Sequence, residues 1–104
     1  MENTGPIRID RQAGHTYLVF PAALSIAEAR ALYENLSQIL TYRQPVVMAV
    51  EQLERVDGAA LQVLAGFCQT ARLSGVEVTW QGPSANFQQA AHDLDLASIL
   101  ELTP

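Results

Sequence analysis

Three carboxylates fall close together in this chain. Glu51, Glu54 and Asp57 follow the apolar run at residues 46–50. Ligands of α/β sheets bind beyond the carboxyl ends of strands, so this is where a carboxylate pair would work as general acid and base. That chemistry needs two groups with pKa values pushed apart inside a cleft. The sequence supplies no element to enclose them, and they read as an acidic rim plus a helix cap. Metal chemistry has less to draw on. His15 and His92 lie far apart, with no cysteine or paired carboxylate at ligand spacing, so no metal site is expected. His15 reads as an exposed hairpin residue and His92 as an exposed helix residue. The one cysteine, Cys68, falls on an apolar helical stripe and reads as a small buried hydrophobe. There is no Gly-x-Ser-x-Gly elbow and no Gly-x-Gly-x-x-Gly fingerprint. There is also no lysine, which removes the P-loop lysine, Schiff-base chemistry and a Ser-Lys dyad. No catalytic residue and no cofactor are expected, and binding is the function left by elimination.

The elements that would position a binding surface can be read from periodicity. Residues 1–6 form a polar tail, expected to be flexible. Ile7 and Ile9 alternate with Arg8 and Asp10 as in a short edge strand. Residues 16–20 are β-branched, aromatic or aliphatic, and Pro21 ends them. Ser25 and Glu28 have capping-box spacing, in which the hydroxyl accepts from the Glu28 amide and the carboxylate reaches back to the Ser25 amide. Losing that cap costs about 1 kcal/mol. The helix behind it should run from 26 to about 40, with Ile26, Ala29, Leu32, Tyr33, Leu36, Ile39 and Leu40 on one stripe. Residues 46–50 are apolar on both faces, the pattern of a central strand covered on both sides. Asp57 suits the N-cap of a second helix, whose buried face carries Ala60, Leu61, Leu64, Ala65, Phe67, Cys68 and Ala71. Gly75 stands where a left-handed residue ends that helix. Val76, Val78 and Trp80 alternate with Glu77 and Thr79 as a half-buried strand. Gly82-Pro83-Ser84 turns into a third helix, and residues 96–102 close the core. The order predicts an α/β sandwich, about four strands in a mixed sheet with three to four helices, in one domain over 7–104.

Composition narrows the function classes. The chain has 104 residues, 49% hydrophobic and 16% charged, enough apolar surface to fold as one core. Eleven acidic residues face six scattered arginines, for a net charge of −5. A nucleic-acid binder gathers its cations on one face, so no nucleic-acid partner is expected. The apolar runs are far short of a membrane helix, and residues 1–6 lack the basic and apolar regions of a signal peptide. A cytoplasmic protein with no direct membrane insertion is the expectation.

The stretch from 46 to 64 resembles the STAS domain, the fold shared by bacterial anti-sigma-factor antagonists and the cytoplasmic tails of sulfate transporters. In that family a buried strand leads into a turn Asp-(Ser/Thr)-(Ser/Ala/Gly)-Gly-Leu that starts a helix. The matching segment is Arg55-Val56-Asp57-Gly58-Ala59-Ala60-Leu61. Phe20-Pro21-Ala22-Ala23-Leu24-Ser25 stands where the family has a strand ending in Gly-Glu-Leu-Asp or Ala-Glu-Leu-Thr. Gly82-Pro83-Ser84-Ala85 is similar to its Asn-Pro-Ser turn, and 94–100 to its closing leucine-rich turn. About residues 7–102 can be placed in this way.

The resemblance implies a mechanism. A serine or threonine in the turn is phosphorylated by a partner kinase, and the added negative charge releases the partner. This chain departs there. Gly58 and Ala59 replace the hydroxyl residues, Ala60 replaces the small glycine, and Ala23 and Ser25 replace the frequent upstream Glu and Asp or Thr. Asp57 is kept. The expectation is a switchless docking surface with no phosphoacceptor, built from Ser25, Asp57, Gly58, Ala59, Gln62, Gln69 and Arg72. The partner would be an anti-sigma-type kinase or a chemotaxis-like signalling protein. The alternative is the ATPase of a phospholipid-transport ABC complex, which a STAS subunit binds and stabilises. Such domains are monomers or weak homodimers.

Overall fold

The computed structural model describes residues 2–4 and 7–100. Two antiparallel pairings, β1 (Glu2–Thr4) on β2 (Ile7–Gln12) and β2 on β3 (His15–Val19), open a five-stranded sheet. Two parallel pairings complete it: β3 on β5 (Val46–Ala49) and β5 on β7 (Val78–Gln81). The order is β1-β2-β3-β5-β7, so the sheet is mixed as expected, with one strand more than the four legible in the sequence. The added strand, β1, stands where a flexible tail is expected, and it takes β2 off the edge. Met1, Gly5, Pro6 and residues 101–104 lie outside the described residues, as do the rest of the expected tail and the end of the closing turn.

Pleating sorts each strand into two faces. Ile9, Leu18, Met48 and Trp80 stand abreast on the inner face, and the first three are buried. Val46, Met48 and Val50 belong to the main core. Val47 and Ala49 are buried on the other face but lie outside that core cluster, abreast of Tyr17 and Thr79 and of Val19 and Gln81 respectively. The apolar run therefore reflects one deep face and one shielded by its strand neighbours. The strand is buried on both faces, as expected.

The helices are α1 (Ile26–Glu34), α2 (Leu36–Thr41), α3 (Gly58–Leu73), α4 (Ala85–Asp93) and α5 (Ala97–Leu100). The long helix expected over 26–40 is broken at Asn35, which sits at φ −92°, ψ 4°. Its side-chain amide donates to the Ala31 carbonyl at 2.8 Å, a local bond that competes with the helix ladder. The apolar stripe runs on past the break: Ala29, Leu32, Leu36 and Ile39 are buried. Ile26 and Tyr33 are not; both face outward, about two-fifths exposed. Helix α3 buries all seven residues assigned to its inner face. Gly75, at φ +82°, ends it in the left-handed region where a Cβ is disfavoured.

Two side chains close the far edge of the core. The Trp80 indole Nε1 donates to the Leu100 carbonyl at 2.7 Å, and the Trp80 ring lies 5.3 Å from that of Phe87. Arg72 donates from Nη1 to the Ile99 carbonyl and from Nη2 to the Leu100 carbonyl at 3.0 Å.

Candidate docking site at the helix starts

Beyond the carboxyl ends of β3 and β5 the chain forms a second, two-stranded sheet, β4 (Ala23–Leu24) with β6 (Arg55–Val56). The pairing is parallel, with Ala23 opposite Arg55 and Leu24 opposite Val56. The Glu54 and Arg55 amides both donate to the Ala22 carbonyl, at 2.8 and 3.0 Å, and the Asp57 amide donates to Leu24 at 3.2 Å. Buried Leu24 and half-buried Val56 anchor the pair to the core. One residue further along this register, Ser25 and Asp57 come abreast. Each is the N-cap of a helix, α1 and α3, and each has extended backbone. The two helix starts that the sequence places far apart are thus set side by side, and each presents the positive end of its dipole.

The caps work differently from the expectation. Neither the Ser25 nor the Asp57 side chain caps its helix by accepting a backbone amide. The Ser25 hydroxyl instead donates to the Glu28 carboxylate. That bond, helped by the Glu28 and Ser25 backbone amides, holds the Glu28 carboxyl below its ordinary value. The Glu28 half of the capping box therefore forms and the serine half does not. Asp57 keeps an exposed carboxylate beside the start of α3.

Gly58 and Ala59 are exposed in the first turn of α3, whereas Ala60 is fully buried beneath them. A Cβ on Gly58 would lie 3.4 Å from Leu94 Cδ1, so the turn packs close to the end of α4. Gln62 and Gln69 are exposed and seven residues apart, which puts them on one face of α3. Between that face and α1 runs a shallow groove of about 420 Å³ lined by Arg30, Tyr33, Glu34, Gln62, Val63 and Gly66. Arg72 departs from its expected place. It is half-buried and its guanidinium straps α5 to α3, so it belongs to the closure of the core. Tyr33 and Arg30 are the surface residues that sequence reasoning missed. The spacing of Tyr33 fits the apolar stripe, yet the residue faces outward and is exposed.

The acidic rim does not converge. Glu51 accepts from the Gln81 amide at 2.6 Å and Glu54 from the Asn86 amide at 3.3 Å, and both are exposed. Among the described residues no group of three His, Cys, Asp or Glu side chains could hold a metal ion. His15 and His92 are exposed, and Cys68 is buried, as expected.

The loop from β5 to β6 is held from behind by Ser84. Its hydroxyl donates to the Leu53 carbonyl at 2.9 Å and accepts from the Phe87 amide at 3.0 Å, capping α4. Ser84→Ala removes both bonds, and we expect a loss of about 1–2 kcal/mol in urea unfolding. Gly82 fixes the same loop. It has φ +67°, and a Cβ there would run into Glu51 Cγ and lie 3.3 Å from Glu51 Cβ. Gly82→Ala should therefore cost about 1–3 kcal/mol, measured in the same way.

Comparison with known proteins agrees with this fold. A crystal structure of a protein called Mglu superposes with a TM-score of 0.69 at 18% identity, covering 82% of this chain and 22% of that one. A second, of Mglu in its native form, gives 0.66 at 17% identity over 76% of this chain and 23% of that one. The likeness is one of fold, and the chain spans under a quarter of the length of Mglu. No curated protein matches the sequence. No helix among the described residues is long and apolar enough to cross a membrane. The model of the STAS domain matches residues 6–104, nearly the whole sequence, and the chain belongs to that family of regulatory, protein-binding domains.

Proposed function

We propose that this domain is a switchless, non-enzymatic docking module of bacterial signal transduction, working in the cytoplasm in the manner of an anti-sigma-factor antagonist. The observation that carries the reading is the exposed start of α3. It is set beside the start of α1 by the β4–β6 pair, and it offers Gly58 and Ala59 where a phosphoacceptor would stand. The nearby Ser25 hydroxyl is engaged by Glu28. A partner can therefore meet Asp57, Gly58, Ala59 and Gln62, with Gln69 further along α3, without a phosphate ever intervening. The partner class is a kinase-type anti-sigma factor or a chemotaxis-like signalling protein. The same lack of a switch also suits a permanent subunit on the ATPase of a phospholipid-transport ABC complex, and that is the second reading.

Affinity capture from the host lysate, with Ala59→Arg in parallel, separates the two. A kinase-like or sigma-regulating protein that Ala59→Arg loses supports the signalling role. An ABC ATPase lost in the same way moves the domain to transport. Identical captures with both forms would remove the α3 start from the working surface.

A further inference from the structure

A second cavity opens at the end of the sheet opposite the β4–β6 pair, where β5 and β7 begin. It measures about 520 Å³ and lies between the turn after α2 and the turn after α3. Leu40, Pro45 and Val76 give it an apolar lining. Its polar walls are already fixed. The Gln44 side chain accepts from the buried Thr16 hydroxyl at 3.0 Å and donates to the Gln12 carbonyl at 3.1 Å. The Ser74 hydroxyl donates to the Thr70 carbonyl at 3.0 Å.

Two lining charges remain, Arg43 and Glu77. They do not pair with each other, and among the described residues neither makes an ion pair or a side-chain hydrogen bond. Glu77 is held in place through its backbone, whose carbonyl accepts from the Val46 amide at 2.8 Å. Arg43 sits at φ +51°, a left-handed conformation that glycine adopts freely and a long side chain does not. It is the residue that ends α2, its amide donating to the Leu40 carbonyl at 3.2 Å, so its side chain leaves the chain from a left-handed helix end. The cavity thus holds one cationic and one anionic group, both exposed to solvent, on a partly apolar wall, each without an ion-pair partner among the described residues. Its size is in the range that takes small ligands. The end of α3 at Ser74 adds partial negative charge on the Glu77 side, which favours an ammonium there.

We infer that this cavity binds a small apolar α-amino acid, its carboxylate on Arg43 and its ammonium on Glu77, with the side chain against Leu40, Pro45 and Val76. The test titrates the isotope-labelled full chain by NMR with three probes: L-leucine, L-leucinamide and 4-methylpentanoate. L-leucine should shift the amides of residues 43, 44 and 74–77 saturably. Each single-charge analogue should bind about tenfold more weakly or worse. Arg43→Gly isolates the side chain, because glycine suits the backbone there. Its melting temperature should hold or rise, its affinity for L-leucine should fall about tenfold, and its affinity for L-leucinamide should stay unchanged. Glu77→Gln should do the reverse, sparing 4-methylpentanoate. No saturable shift up to about 10 mM L-leucine would overturn the inference, as would equal binding of all three probes.

Discussion

Phe67→Ala should lower the folding free energy by about 3–5 kcal/mol, the largest effect we expect from one substitution. Phe67 is fully buried at the middle of α3, the helix that packs against α1, α2, β7 and α5. Truncation removes the transfer energy of the ring and leaves a void that the surrounding side chains fill only in part. A domain of this size has about 5–15 kcal/mol in total, so the variant would be marginal. Its melting temperature should fall by roughly 15–30 °C. Leu73, six residues on in the same helix, is 84% exposed, and Leu73→Ala should change stability by no more than about 0.5 kcal/mol. Thermal melts of the two variants check both numbers. Similar losses in both would mean that α3 does not sit as described.

Ala59→Asp should separate binding from stability. Residue 59 is exposed in the first turn of α3, where an acidic side chain meets the positive end of the helix dipole. The fold should be as stable as before, or slightly more so. Binding should suffer, since the added charge stands beside Asp57 on the surface offered to the partner and mimics the phosphate that other members of the family acquire. We expect partner affinity to weaken by about 1 kcal/mol or more by calorimetry, with the melting temperature unchanged or raised. Loss of both together would make the effect one of folding.

How much of this was legible in the sequence depends on the range of the forces involved. Helix α3 was, because seven buried residues at helical spacing outweigh any local ambiguity. Strands β3 and β5 were, from their apolar runs, and β7 was, from its alternation. The break at Asn35 was hidden because the apolar stripe continues across it, while the bond that makes it is a single local contact to Ala31. The pair β4–β6 was hidden for a different reason. Strands of two residues carry no periodicity, and their partner lies thirty-two positions away. Yet that pair creates the site, since it brings Ser25 beside Asp57. Position alone identified Ser25 and Asp57 as N-caps, but whether the side chain of a cap reaches the helix amides is a matter of ångströms. Arg72 shows the same limit. Its spacing put it near the surface of α3, and the carbonyls it holds belong to a helix about twenty-seven residues later.

The central claim is that the joined starts of α1 and α3 are the working surface. The most direct test maps the amides of the isotope-labelled domain that shift when its captured partner is added. The account predicts changes concentrated at 25–28 and 57–62, extending along the groove to Tyr33 and Gly66. Changes confined to the outer sheet face around Tyr17 and Val47, with 57–62 silent, would contradict it.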